Sequence, residues 1–116
     1  MRIQDFETEV GISANAVARE LRTTNAEIAH TLGLSLDALS RSSRIGAPKT
    51  QTRLRQMLEI LNRVESLMGS TLVAYAWFRS EPLPGFADMT PCLLVRDGKA
   101  EGVHAYLDQV LDGGYA

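Results

Sequence analysis

An all-α fold is predicted by three features of this 116-residue chain. Apolar residues recur at i, i+3, i+4 and i+7, most regularly through Leu54, Met57, Leu58, Leu61, Val64, Leu67 and Met68. Residues that start helices stand where such runs begin, and glycines stand where they end. No run alternates apolar and polar residues as a half-buried strand would, and no Asn-Gly pair offers a tight hairpin.

Taken in order, Ser13 is placed to cap a helix running to about Arg22, with Val17, Ala18 and Leu21 on one face. Thr24 and Glu27 form a capping box, in which the threonine hydroxyl accepts from the backbone N–H three residues on and Glu27 reaches back. The helix that follows carries Ile28, Ala29 and Leu32 and stops at Gly33, a residue suited to a left-handed terminal conformation. Ser35 then caps a short helix through Leu36 and Leu39 to about Arg44, and Ile45-Gly46-Ala47-Pro48 reads as a linker. The most regular helix starts at Thr50 or Thr52 and ends at Gly69. A more apolar one covers Thr71 to Arg79, and Pro82, Pro84 and Gly85 enforce a loop after it. Thr90 as N-cap with Pro91 at the first helical position opens a short helix that ends near Asp97-Gly98. A last helix, about Ala100 to Leu111, is expected to bury Val103, Leu107, Val110 and Leu111 before the Gly113-Gly114 pair. Residues 1–48 thus read as an N-terminal helix-turn-helix-like unit with its linker, and residues 49–116 as a second helical unit.

Composition narrows the function. An apolar fraction of 45% is that of a folded chain. The net charge of −2 makes no global case for nucleic acid, but residues 1–53 carry +1 and residues 54–116 carry −3. Arg41, Arg44, Lys49, Arg53 and Arg55 follow Ala38 with no acid among them, a basic strip that meets phosphates or stands as a solvated face. Cys92 is the one cysteine; it fits a reducing cytoplasm and, opening an apolar helical run, reads as an inert core thiol. The N-terminus lacks a signal pattern, and the apolar stretch from Thr71 to Phe78 is far shorter than the ~20 residues of a membrane span. His30, His104 and Cys92 fall short of a four-ligand zinc site, and no glycine-rich phosphate loop is present. Glu59 and Glu65 read as solvated helix partners of Arg55 and Arg63. A binding protein is expected, without cofactor, metal or enzymatic activity.

Residues 28–39 have the spacing of a helix-turn-helix. Ala29 is small where two helices would cross, Gly33 takes the turn, and Ile28, Leu32, Leu34 and Leu39 fill the wedge. Ser42 departs from the branched apolar residue usual at its position. Ser35, Asp37, Ser40, Arg41 and Arg44 would face outward, Arg41 and Arg44 toward bases or phosphate and Lys49 toward phosphate. The same geometry can equally serve as scaffold.

Across nearly its whole length the chain resembles the Xre/MbcA/ParS antitoxins. The residues that carry the resemblance are Arg53-Leu54-Arg55 with Met57-Leu58, Ala76-Trp77-Phe78, Pro82, and Thr90-Pro91 with Leu93-Leu94-Val95. The Gly98 turn, Val103, Tyr106-Leu107 and the final Gly113-Gly114-Tyr115-Ala116 complete the set. Where the family often has a Gly-Gly pair before its Thr-Pro, this chain reads Gly85-Phe86-Ala87-Asp88-Met89. The resemblance implies a toxin-binding and dimerisation domain at about residues 53–116 and a homodimer in the cytoplasm. It also implies an antitoxin whose partner is a RES-domain toxin that consumes NAD, and an N-terminal unit that represses the shared operon by binding operator DNA. Gly113, Gly114, Tyr115 and Ala116 would then be a tail occluding the toxin's pocket; read from the residues alone, they are a frayed terminus after a glycine stop. Trp77 reads as core, or as an anchor of the dimer or toxin contact. A stand-alone dimeric regulator with no toxin partner is the alternative.

Overall fold

The structure, a computed structural model, describes residues 1–40 and 44–111. Those residues are mostly helical: α1 (Ala14–Glu20), α2 (Asn25–Leu32), α3 (Leu36–Ser40), α4 (Pro48–Met68), α5 (Thr71–Ser80), α6 (Pro91–Arg96) and α7 (Ala100–Leu111). Three of the caps expected from sequence close the helices they were assigned to. Ser13 Oγ accepts from the Ala16 N–H at 3.2 Å, Thr24 Oγ1 from Glu27 at 3.1 Å and Thr90 Oγ1 from Leu93 at 3.4 Å. Gly33 and Gly69 terminate α2 and α4 in the left-handed region, at φ 67° and 75°. The second half of the capping box differs: the Glu27 carboxylate turns to the Thr23 hydroxyl at 3.0 Å and to Arg79 at 3.4 Å.

Ahead of α1 the chain departs from the all-α expectation. A short 3-10 turn, Ile3–Phe6, leads into a two-stranded antiparallel ladder, β1 (Glu7–Thr8) and β2 (Gly11–Ile12), with Glu7 opposite Ile12 and Thr8 opposite Gly11. Two residues a side are too few to show as alternation. The ladder is held by a tertiary contact instead. Gln51 of α4 accepts from the Ile12 N–H at 2.7 Å and donates to the carbonyls of Ile12 at 3.2 Å and Ile45 at 2.7 Å. Gly11 makes room for it, since a Cβ there would lie 2.4 Å from the Gln51 amide oxygen.

α4 is the axis of the core. Leu54, Met57, Leu58, Leu61 and Val64 are fully buried as its periodicity predicts, and so is Ile60, which lay outside that stripe. Around it one apolar cluster gathers Ile12, Val17, Ile28 and Leu32 from the N-terminal part and Phe78, Leu83, Leu94, Val103 and Leu107 from the C-terminal part. α4 begins at Pro48, earlier than Thr50, so the end of the expected linker is already helical. Ile45 in that linker is buried.

Three expectations are corrected by the packing. Val110 and Leu111 of α7, expected in the core, are exposed, as are Leu67 and Met68 at the end of α4. α4 and α7 run side by side in the same direction and finish near one another, which leaves these four side chains at the end of the pair. The expected pairs within α4 are also replaced. Arg55 meets Glu7 at 3.2 Å, Arg63 meets Asp108 at 2.7 Å and His104 Nδ1 at 3.0 Å, and Glu65 meets the Met1 ammonium at 2.7 Å and the Thr71 hydroxyl. α3 ends at Ser40 among the described residues, and residues 44–46 form a turn.

Candidate interaction surfaces

Three residues, Gly33-Leu34-Ser35, join α2 to α3. Ile28, Ala29, Leu32 and Leu39 are buried between the two helices and the core, while Leu34 is half-buried. Ser35 and Ser40 are exposed at the two ends of α3; the Ser40 hydroxyl donates to the Leu36 carbonyl at 2.7 Å. Between them Leu36 stands 53% exposed on the same short helix. Arg44 is exposed in the following turn and Lys49 in the first turn of α4. Arg41, the remaining residue assigned to nucleic-acid contact, lies outside the described residues.

The rest of the basic strip does not face solvent as a set. Arg53 turns inward: its Nη1 donates to the carbonyls of Leu32 at 2.9 Å and Gly33 at 3.1 Å, and its Nη2 to the carbonyl of Arg96 at 3.0 Å. Arg96 of α6 completes the arrangement, donating from Nε to the Thr31 carbonyl at 3.0 Å and from Nη2 to the His30 carbonyl. Four consecutive carbonyls, residues 30–33, thus receive guanidinium N–H groups. Those of Thr31 and Leu32 are acceptors that a helix end leaves without an intrahelical partner, and the positive charge opposes the negative end of the helix dipole. Sequence reasoning missed this pair, because an arginine twenty or sixty-six residues from its acceptor leaves no local signature.

Arg96 separates two open clefts. One, of about 390 Å³, lies between α2, α5 and α6 and is lined by Glu27, His30, Arg79, Thr90, Cys92 and Arg96 among others. The other, of about 450 Å³, has Lys49, Arg53, Arg96 and Asp97 in its walls. Cys92 is buried, with Sγ 3.3 Å from the Thr90 hydroxyl. Tyr75 contacts two residues of the first cleft's wall: it is buried, its hydroxyl is 3.4 Å from that of Thr31, and the Arg79 guanidinium lies 4.5 Å above its ring. Burial raises the pKa of the phenol above its ordinary value, so it remains a neutral hydrogen-bonding group.

The opposite end of α4 is apolar and open. Leu67 (44% exposed) and Met68 close α4, Leu72 and Val73 (51% exposed) begin α5, and Val110 (46% exposed) and Leu111 close α7. The contact between Arg63 and Asp108 fixes their proximity: Leu67 lies one turn beyond Arg63, and Leu111 one turn beyond Asp108. Both charged residues in 63–73, Arg63 and Glu65, are paired within the chain, as is Asp108 of α7. Trp77, one turn beyond Val73 in α5, is half-buried and packs against the core. Gly113, Gly114, Tyr115 and Ala116 lie outside the described residues.

Among the described residues no group of three His, Cys, Asp or Glu side chains could hold a metal ion, and no helix is long and apolar enough to cross a membrane. No protein-family model matches the chain, and neither does any curated protein or solved structure compared with it.

Proposed function

We propose that this chain is an antitoxin of a toxin–antitoxin pair, a cytoplasmic protein that neutralises a RES-domain, NAD-consuming toxin by binding it and covering its active site. In the same reading the α2–α3 pair is a helix-turn-helix that represses the shared operon as a homodimer, and the chain itself is not an enzyme. The observation that supports this best is the open apolar end built from α4, α5 and α7. Large apolar side chains gain free energy on leaving water, and several of them exposed at the ends of neighbouring helices favour a protein contact. Only Asp112 separates Leu111 from the Gly113-Gly114-Tyr115-Ala116 segment. Four extended residues reach roughly 14 Å, so a protein seated on the apolar end stands within reach of Tyr115. Two glycines let the backbone approach a surface closely, and a tyrosine ring stacks on a nicotinamide or adenine.

Co-expression with the RES-domain enzyme encoded beside this chain tests the tail. The full chain restores growth, and the chain lacking residues 113–116 does not; equal rescue by both would exclude occlusion by the tail. The alternative, a stand-alone dimeric regulator, draws on the exposure of α3, Arg44 and Lys49. It requires salt-sensitive binding to promoter DNA with no adjoining toxin. On either reading Arg44→Ala weakens DNA binding across sequences and lowers the salt slope by about 0.9 if Arg44 meets one phosphate.

A further inference from the structure

We infer that Arg53 and Arg96 are positioning residues for α3: together they lock the hinge on which it is presented. The inference rests on the nucleic-acid part of the reading above. Gly33 is the first of only three residues between α2 and α3, and it adopts φ 67°. A glycine there is otherwise the freest residue of the turn. Here it is held on two sides. Its carbonyl accepts from Arg53, and the stem of Arg96 passes over its Cα, with Cγ and Cδ 3.0 Å from where a Cβ would stand. The neighbouring Leu34 N–H is bonded to the Ala29 carbonyl at 2.8 Å. Because Arg53 also holds the carbonyl of Arg96, the ends of α2 and α6 are closed onto α4 as one unit. The direction of α3 is therefore set from the C-terminal half of the chain, by residues that do not themselves touch DNA.

Two variants of the full chain test this. Arg96→Met keeps a stem over Gly33 and removes every donor; Arg96→Lys keeps the charge with a single donor group in place of the fork. Affinity is measured across a salt series for a duplex covering the region upstream of the chain's own reading frame. Arg96→Met is expected to bind about ten-fold more weakly with the slope of log K against log salt unchanged, and Arg96→Lys to fall between it and the wild type. A direct phosphate contact would instead lower that slope by about 0.9. Amide hydrogen exchange on the same proteins gives the second readout: faster exchange confined to residues 30–40, with α4 and α7 unchanged. Unaltered affinity, a reduced salt slope, or exchange accelerated uniformly in all helices would each overturn the inference. If the wild type binds no DNA, the nucleic-acid reading falls, and the exchange pattern alone decides whether the hinge is locked.

Discussion

At its N-terminal end α4 turns polar side chains inward, Gln51 to the β-hairpin and Arg53 to the last turns of α2 and α6, so backbone groups from three parts of the chain are satisfied there. At its C-terminal end, with α5 and α7, it leaves Leu67, Met68, Leu72, Val73, Val110 and Leu111 in water while the charged groups beside them pair with one another. The first end sets half-buried long polar side chains against backbone groups and satisfies them within the chain. The second inverts the usual rule by exposing large apolar ones, and it is the end that the proposed partner would cover. One end holds the molecule together and the other leaves apolar side chains exposed.

The comparison breaks first if the two ends of α4 respond alike to truncation. Leu58 is fully buried, so Leu58→Ala is expected to cost about 2–5 kcal/mol in urea unfolding, whereas Leu67→Ala stays within about 0.5 kcal/mol. Similar losses at both positions would mean that the end of α4 is already covered. Next in size is Gln51→Ala. It strands the Ile12 N–H and the Ile12 and Ile45 carbonyls, at about 1–3 kcal/mol, and should expose the amides of the hairpin to exchange. A smaller effect separates the two glycine caps. Gly33→Ala and Gly69→Ala both force alanine to positive φ, but only the first meets a neighbour, Arg96, while nothing lies within 4 Å of the second. Gly33→Ala should therefore lower the melting temperature further than the strain of about 1 kcal/mol shared by both; equal shifts would mean that Arg96 does not press on the hinge. Smallest is the acid response of Glu65, whose pKa is lowered by its hydrogen bonds to the Met1 ammonium and then to Thr71. A depressed carboxylate contributes stability above its unfolded value and loses it as pH falls through the folded one. Stability should drop below the ordinary carboxylate range, and Glu65→Gln should flatten that part of the pH profile.

Local chemistry was legible in the sequence and tertiary chemistry was not. Thr24, Gly33, Thr90 and Pro91 announce helix ends because their effect reaches only three or four residues along the chain. The period of α4 identified Leu54, Leu58 and Leu61 for the same reason. Period alone says which face of α7 is apolar and not how far its neighbour extends, which is why Val110 and Leu111 were expected inside. Arg53 and Arg55 looked like two members of a phosphate-facing strip; one caps a helix twenty residues away and the other meets Glu7. Gln51 has no local signal as a staple. Of the residues assigned to nucleic acid, Ser35, Ser40, Arg44 and Lys49 are exposed, a position that a contact residue and a solvated face share.

Titration of NAD consumption tests most directly whether the open apolar end is a partner face. A RES-domain enzyme, the partner class proposed above, is titrated with the wild type and with the Leu67→Glu, Val110→Glu double variant, whose folding is first checked by its melting temperature. Near-stoichiometric inhibition by the wild type, with at least ~30-fold more of the variant required, is the predicted result. Equal inhibition by both proteins, or none by either, would contradict it.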